Sequence, residues 1–564
     1  MNFLNFDKNL LINLEKSLTK EMIRTNRAGA YCSSTLVDCN TRKYHGQLVV
    51  PLPQIDTYNH VLLSSIDETI CKHGAEFNLS VHQYPNNHIF PNGHKYIREF
   101  DCNSISKTVF RVGSVIIAKE RCMVFYENKV LIKYTMLETQ SATTLRLKPL
   151  LAFRSVHELC KENSLINNSY TEIANGISVQ LYPTYPTLHI QLSKSNTYEH
   201  TPHWNKNIYY AKEAERGFEC TEDLYAPGTF EVSLKQGESV IVAVGTESSA
   251  IKTLKTLWEK EVSKRNPRTD LYNCLRNSAV QFYTRTQDNW YLLAGYPWFV
   301  VRARDQFISL PGCTICIGET EMFEKIMHSS IQAIKQFMEK GTLSDNIQEL
   351  DSPDSLLWCI WCLQQYGVYV SEEEMIAKYG DFIVDVVEFI RRQKHPNLFV
   401  HSKGLLHISG KEAPATWMNA EENNQPITPR TGFVVEINAL WYNALKCSET
   451  IHEINGNSKQ SHILHYQAEL AGNEFIQTFW NGMYLYDYVD GIERNMEVRP
   501  NMIFATSLPY SPLTKQQQKS ILDICTKELL TPKGLRSLSP KSGSYRPNYV
   551  GGMLERNRNY HNGP

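Results

Sequence analysis

Between residues 294 and 312 the run AGYPWFVVRARDQFISLPG sets Tyr296, Trp298 and Phe299 against Arg302, Arg304 and Asp305, with no lysine among them. Aromatic faces stack on the apolar faces of sugar rings, while arginine, carboxylate and amide groups take up hydroxyls in hydrogen bonds. Arginine also offers a planar fork that lysine lacks. Three more stretches mix aromatics with ionisable groups, and each precedes or opens a helical pattern: DSPDSLLW at 351–358, ATWMNAEENNQPITPRTGFVVEINALWYNAL at 415–445, and the C-terminal YRPNYVGGMLERNRNYHNGP. Seven of the nine tryptophans (290, 298, 358, 361, 417, 441 and 480) fall between residues 281 and 480, so any ligand site is sought there. A Trp-rich groove studded with polar groups suits a carbohydrate, although large helical domains also bury tryptophan in their cores.

Glu436 is the most informative single residue. It interrupts FVVEINALW, and a carboxyl among such neighbours is desolvated and its pKa raised, which makes an acid able to donate a proton near neutral pH. The same residue could instead be a buried anchor for a loop through Arg430 or backbone N–H groups. Asp354 is either a site carboxylate or a plain N-cap of the helix SLLWCIWCL. Asp305 beside Arg304 is either a ligand-binding pair or a structural ion pair.

These residues need a scaffold. From about residue 45 to 245 the pattern has period two or short apolar runs (129–137, 144–153, 176–183, 188–195, 239–247), which predicts a large antiparallel β-sandwich. Beyond residue 250 the apolar spacing changes to three and four, with helices predicted at 322–341, 355–367, 372–393, 433–446, 462–480 and 514–530. Ser371 and Glu374 form a capping-box pattern before the third of these. Helices joined by long loops, with no strands alternating between them, predict an α-helical barrel or array. The expected domains are therefore a β-sandwich over 1–247, a charged helical linker over 248–270 and a helical domain over 271–564.

Composition narrows the function. Lys+Arg 58 against Asp+Glu 59 leaves a formal charge of −1, so no basic field exists to hold nucleic acid. The N-terminus lacks a signal-peptide pattern, and no run of about 18 apolar residues occurs, so a soluble cytoplasmic protein without a membrane partner is expected. Fourteen scattered cysteines fit reduced, mostly buried thiols. Cys313/Cys316 and Cys359/Cys362 have metal-ligand spacing, but the second pair sits inside the apolar run LLWCIWCL, so core thiols are the reading and no metal is expected.

The stretches NRAGAYCSSTLVDCNTRKYHGQLV (26–49), GYPWFVVRARDQFISLPG, TWMN…TPRTGFVVEINALWYNALK, RPNMIFATSLP (499–509) and GLRSLSP…YHNGP resemble, in order, the N-terminal and catalytic domains of bacterial and archaeal glycogen debranching enzymes, the amylo-α-1,6-glucosidase family. The resemblance covers nearly the whole chain. It implies a β-sandwich followed by a glucoamylase-like (α/α)6 barrel, and hydrolysis, with inversion and without a cofactor, of the α-1,6-linked glucose at a glycogen or limit-dextrin branch point. Two carboxyls roughly 6.5–9.5 Å apart would do this work. Carried over by motif, Arg304 and Asp305 would bind the terminal glucose and Trp298 would line its subsite. Asp354, Trp417, Arg430 and Glu436 match family positions, and Tyr560 and His561 fall in the YHNGP motif as substrate-binding positions. Glucan transfer between chains is not expected, and the oligomeric state is not legible.

Two departures qualify this. Where many relatives read TWMD this sequence has Asn419, and an amide cannot give up a proton at neutral pH. Either Glu436, Asp354, Glu421 or Glu422 serves instead, or the chain is a catalytically impaired glycogen- or oligosaccharide-binding protein. In addition, the sequence stops at YHNGP, where some relatives continue into a catalytic base, so an incomplete last barrel helix is expected.

Overall fold

The structure, a computed structural model, describes residues 3–563. The chain forms two compact units. One holds the described residues through Asp288 together with Gly295–Val300, and the other holds Asn289–Ala294 and the described residues from Val301 on.

The first unit is a sandwich of a nine-stranded and an eight-stranded antiparallel sheet. The alternation seen in KVLIKYTML places Val130, Ile132, Tyr134 and Met136 in the core between the sheets. Leu131 points the other way, into a smaller cluster with Cys122, Ile241 and Ala243. Helix α1 (Leu254–Ser263) covers that cluster with Leu254 and Trp258. Residues 248–270 are therefore not a free linker. Burial of Leu254 and Trp258 on the outer face of the sheet ties them to the first unit, and helix α2 (Leu271–Ala279) belongs there too, so the units divide at 288–301 rather than at 270.

The second unit is helical. Its elements are α3 (Ala303–Cys313), α4 (Thr320–Lys340), α5 (Ser355–Tyr369), α6 (Glu372–Arg391), α7 (Val435–Ile454), α8 (Ser458–Phe479), the single turn α9 (Phe504–Ser507), α10 (Lys515–Glu528) and α11 (Met553–Tyr560). Helices α5 and α7 are buried on most of their surface, because SLLWCIWCL and VEINALW are apolar nearly all round. Helix α5 packs against α3, α6 and α7, and α7 packs against α8 and α9. Helices α4, α6 and α8 bury one face each. Successive hairpins thus alternate an inner with an outer helix, the arrangement of an α/α barrel, and the described residues carry four hairpins followed by α11.

Local signals decide the ends. Ser371 caps α6 by accepting from the Glu374 backbone N–H at 3.1 Å. The reciprocal half of the expected capping box is replaced, because the Glu374 carboxylate accepts from Lys378 Nζ at 2.9 Å and from the Tyr366 hydroxyl. The complete capping box is at Thr514 and Gln517, opening α10. Cys359 and Cys362 lie fully buried in α5, and burial raises the pKa of both thiols. No helix among the described residues is long and apolar enough to cross a membrane.

Candidate active site

A small antiparallel sheet sits among the loops of the second unit and fixes the start of α7. Strand Gly432–Val434 pairs with Leu406–Ile408 on one side and with Tyr488–Asp490 on the other. The register Val434↔Tyr488 sets Asp487 beside the first turn of α7, where the Val435 N–H donates to the Asp487 carbonyl at 3.2 Å. Asn438, one turn further along, accepts from the Leu406 N–H at 2.7 Å and donates to the Leu406 carbonyl at 3.0 Å, which locks the strand to the helix.

Arg430 stands between two carboxylates in this corner. It forms a two-bonded pair with Glu436, with Nη2 donating to Oε2 at 2.7 Å, and a second with Asp487, with Nε and Nη2 donating at 2.7 and 2.9 Å. All three side chains are about 2 % exposed. One cation facing two buried anions leaves a net negative charge out of water. Burial raises the Glu436 pKa and Asp487 adds to this, with Arg430 opposing. Both sequence readings of Glu436 thus meet in one residue, a desolvated carboxyl that is also the anchor of Arg430. Its two oxygens are committed to that guanidinium.

The network continues to the aromatic groups. Asn501, from the RPNMIF motif, donates to Asp487 at 2.7 Å and accepts from Trp417 Nε1 at 2.9 Å. The Trp417 ring meets His561 edge-on at 5.2 Å. His561 Nε2 accepts from the Ala420 N–H at 3.3 Å, so the imidazole is neutral, and burial with Arg499 and Arg430 nearby brings its pKa down to about 4. Arg499 holds this segment in place by donating to the His561 carbonyl at 2.6 Å and to the Asn562 side chain at 3.0 Å. Glu436, Arg430, Asp487, Asn501, Trp417 and His561 therefore form one continuous chain of contacts, of which sequence reasoning missed Asp487 and Asn501. Asn501 lay within a quoted motif; Asp487 carried no local signal.

A second cluster lies at the start of α3. Arg304 donates to both Asp354 oxygens, Nε to Oδ2 at 2.7 Å and Nη2 to Oδ1 at 2.9 Å, with Glu349 3.7 Å from Nη1. Of the two readings of Arg304 with Asp305, the ion pair between them does not form, because neighbours in a helix point about 100° apart and Arg304 is spent on Asp354. Asp354 occupies the N-cap position of α5 but makes no capping bond with its side chain, which is spent on Arg304. Asp305 is exposed on the first turn of α3. Its charge reaches the Tyr560 hydroxyl, whose pKa is raised by burial, by Tyr549 and by Asp305. Tyr560 in turn lies 4.4 Å from His561, ring to ring, so the two clusters meet at the end of α11.

The remaining candidates are placed as follows. Asn419 is half-buried two residues from Trp417. Glu421 and Glu422 lie in a two-residue hairpin strand pairing with Gln425–Pro426; Glu422 is held by Arg558 at 2.7 Å and Glu421 is exposed. Trp298 belongs to the first unit, where it lies 6.1 Å from Tyr44 and under the Arg42 guanidinium. Pro564, the last residue of YHNGP, lies outside the described residues. Among the described residues no cluster of three His, Cys, Asp or Glu side chains has metal-ligand geometry.

Comparison with known proteins agrees with this architecture. Residues 20–241 match the glycogen debranching enzyme N-terminal domain, and residues 276–564 match the amylo-alpha-1,6-glucosidase domain. A search of curated proteins finds no match. Among solved structures the chain is similar in fold to a bacterial glucoamylase complexed with acarbose. That likeness has 11 % identity and a TM-score of 0.50, and it covers 92 % of this chain and 80 % of the other.

Proposed function

The chain belongs to the glycogen debranching enzyme family, and from that membership we propose that this glycoside hydrolase releases glucose from α-1,6 branch points of glycogen or a limit dextrin with inversion. The observation that carries the reading is the chain of bonds from Arg430 through Asp487 and Asn501 to Trp417, which holds an indole in one orientation beside polar side chains. In the proposed roles Trp417 stacks on a sugar ring, and Asp305 accepts its hydroxyls. Tyr560 and His561 border the same sugar. Arg304 and Asp354 fix the starts of α3 and α5 relative to each other. Arg430 and Glu436 are positioning residues, because a carboxylate whose two oxygens accept from a guanidinium has no proton to give. Asn419 has none either, and Glu422 is paired. Proton donation to the leaving oxygen is therefore assigned to Glu421.

A second reading, a glycan-binding protein with impaired hydrolysis, is favoured by one observation: Glu436, Asp354 and Glu422 are each engaged by an arginine while Asn419 stands near Trp417. Product analysis from a phosphorylase limit dextrin separates the two. The hydrolase reading expects β-glucose as the first product and a loss on the order of 100-fold in Glu421→Gln. No release by the parent, with a gain of similar size in Asn419→Asp, would assign the second reading. Maltosyl or maltotriosyl transfer between chains would contradict hydrolysis without glucan transfer.

A further inference from the structure

The first unit contains a small cavity, partly open to solvent, whose lining has an unusual charge. Arg24, Arg27, Arg121, Arg265 and Arg268 all line it, around Phe125, and no carboxylate does. Two of these cations are neutralised from behind: Arg121 pairs with Asp38 and Arg265 with Glu261. Among the described residues Arg268, 5 % exposed, donates only to the Asn103 and Ser104 carbonyls, at 3.0 and 3.5 Å, and to the Cys102 sulfur at 3.8 Å. Arg24 donates to its neighbour's carbonyl and to that same sulfur. Nε of Arg24 and Nη2 of Arg121, which is 3 % exposed, are buried without a hydrogen-bond partner. Arg27 and Arg265 lie over the Phe125 ring, at 4.2 and 3.5 Å from its centre.

A protein does not gather guanidinium groups out of water without cost. Each buried cation loses hydration, and like charges repel in a medium of low dielectric constant. The effect is visible at Arg268, where burial and the charge of Arg24 bring the pKa down to about 10. What such a fork-shaped, donor-only lining recognises is a tetrahedral oxyanion, since guanidinium N–H pairs match phosphate oxygens. Asn277 and Thr25 also line the cavity, but their donors are taken by the Asn266, Asn273 and Gln281 carbonyls. Gln281, also in the lining, has an unpartnered Oε1 and supplies a neutral donor if its amide is turned.

We propose that this cavity is an anion site of phosphate class, taking inorganic phosphate or a phosphomonoester, and that it is separate from the sugar site of the second unit. Arg24 and Arg268 supply the charge that the fold leaves unmatched, and Arg121 Nη2 supplies a further donor. Ligand binding to the folded state raises its melting temperature, so the site is tested by calorimetric titration and thermal melts of the full chain. Inorganic phosphate, a hexose phosphate and adenosine monophosphate are each compared with chloride at equal ionic strength. Saturable binding by at least one phosphate species, with a rise in Tm of roughly 3 °C or more at saturation, is expected. Tighter binding of an ester than of free phosphate identifies the ester as the ligand, and equal affinity identifies the free anion.

The variants Arg268→Met and Arg24→Met should each weaken binding about tenfold or more. Because Arg268 is an unmatched buried charge and Arg24 a half-buried one, both variants should also melt at the same or a higher temperature than the parent when no phosphate is present. A merely structural arginine would show the opposite. No phosphate-specific binding by the parent overturns the proposal, and so does unchanged affinity in both variants. Glucose release plays no part in these measurements, so their outcome is independent of the proposed hydrolysis.

Discussion

Arg304 closes a two-bonded ion pair on Asp354, at 2.7 and 2.9 Å, across 50 residues of sequence and not on the adjacent Asp305. The pair joins the first turn of α3 to the start of α5, with both side chains less than 10 % exposed. Asp305 is left exposed, and in the proposed roles it is the member of the Arg304–Asp305 pair that meets a sugar hydroxyl. The ion pair holds the scaffold while its neighbour faces solvent.

Asp354→Asn should therefore act first on stability. Removing one partner of a buried pair leaves the other charge uncompensated, at a cost of roughly 3–5 kcal/mol. The double variant Arg304→Met, Asp354→Leu should recover most of that loss, because two apolar groups replace two charges. Urea unfolding of the parent, Arg304→Met, Asp354→Leu and the double variant measures this, and additive losses would show that the pair is not coupled.

His561 gives a pH signature. Its pKa falls from the model-peptide range near 6.5 to about 4 through burial and the nearby charges of Arg499 and Arg430. The unfolded chain binds the proton between these values and the folded chain does not, so stability is present above about pH 6.5 and is lost as pH falls toward 4. The full shift corresponds to roughly 3 kcal/mol. His395, buried and also brought down to about 4, adds a similar contribution of the same sign. His561→Gln keeps an acceptor for the Ala420 N–H and should remove roughly 2 kcal/mol of the acid loss, measured by urea unfolding at pH 6.5 and pH 4.5. An unchanged difference between the two pH values would place the titration elsewhere.

Asn501 should control substrate affinity without touching the reaction. Its carboxamide holds the Trp417 indole and is itself held by Asp487. Asn501→Ala frees the ring and leaves Asp487 with one donor fewer. On a branched limit dextrin KM should rise about tenfold, with kcat within about twofold, as expected for lost binding common to ground and transition states. Trp417 fluorescence should shift to the red. A fall in kcat at constant KM would place Asn501 in the reaction itself.

The sequence disclosed the two architectures because each carries its own period. Alternation in KVLIKYTML and three-four spacing in FVVEINALW are local, and both survive in the strand Lys129–Glu138 and in α7. The motifs also pointed to Arg304, Asp354, Arg430 and Glu436, which all lie in buried ion pairs. Partner choice was hidden. Nothing near Asp487 marks it as a ligand of Arg430, since that contact follows from the pairing of strand 488–490 with strand 432–434. In the same way, the pattern at 248–270 showed a charged helix but not that Trp258 had a sheet to cover. Periodicity reports which face is apolar, and only tertiary pairing decides what lies against it.

Gly432 is a further case of hidden partnership. Its φ of +79° belongs to the left-handed region, and a Cβ there would lie 2.4 Å from the Val489 carbonyl oxygen and 2.9 Å from Asp490 Cα. Both neighbours are backbone of the strand that carries Asp487 to Arg430. Gly432→Ala should cost about 2–4 kcal/mol, through the strained conformation and displacement of the paired strand. Gly456 has nearly the same conformation, with φ +71°, but nothing within 4 Å of its added carbon. Its alanine variant should cost only the conformational part, about 1 kcal/mol. Unfolding curves of the two variants thus separate strain from crowding, and only Gly432→Ala should also lose glucose release, because only there does the displaced strand reach the Arg430 corner. Equal losses would show that the strand yields to the methyl group without moving Asp487.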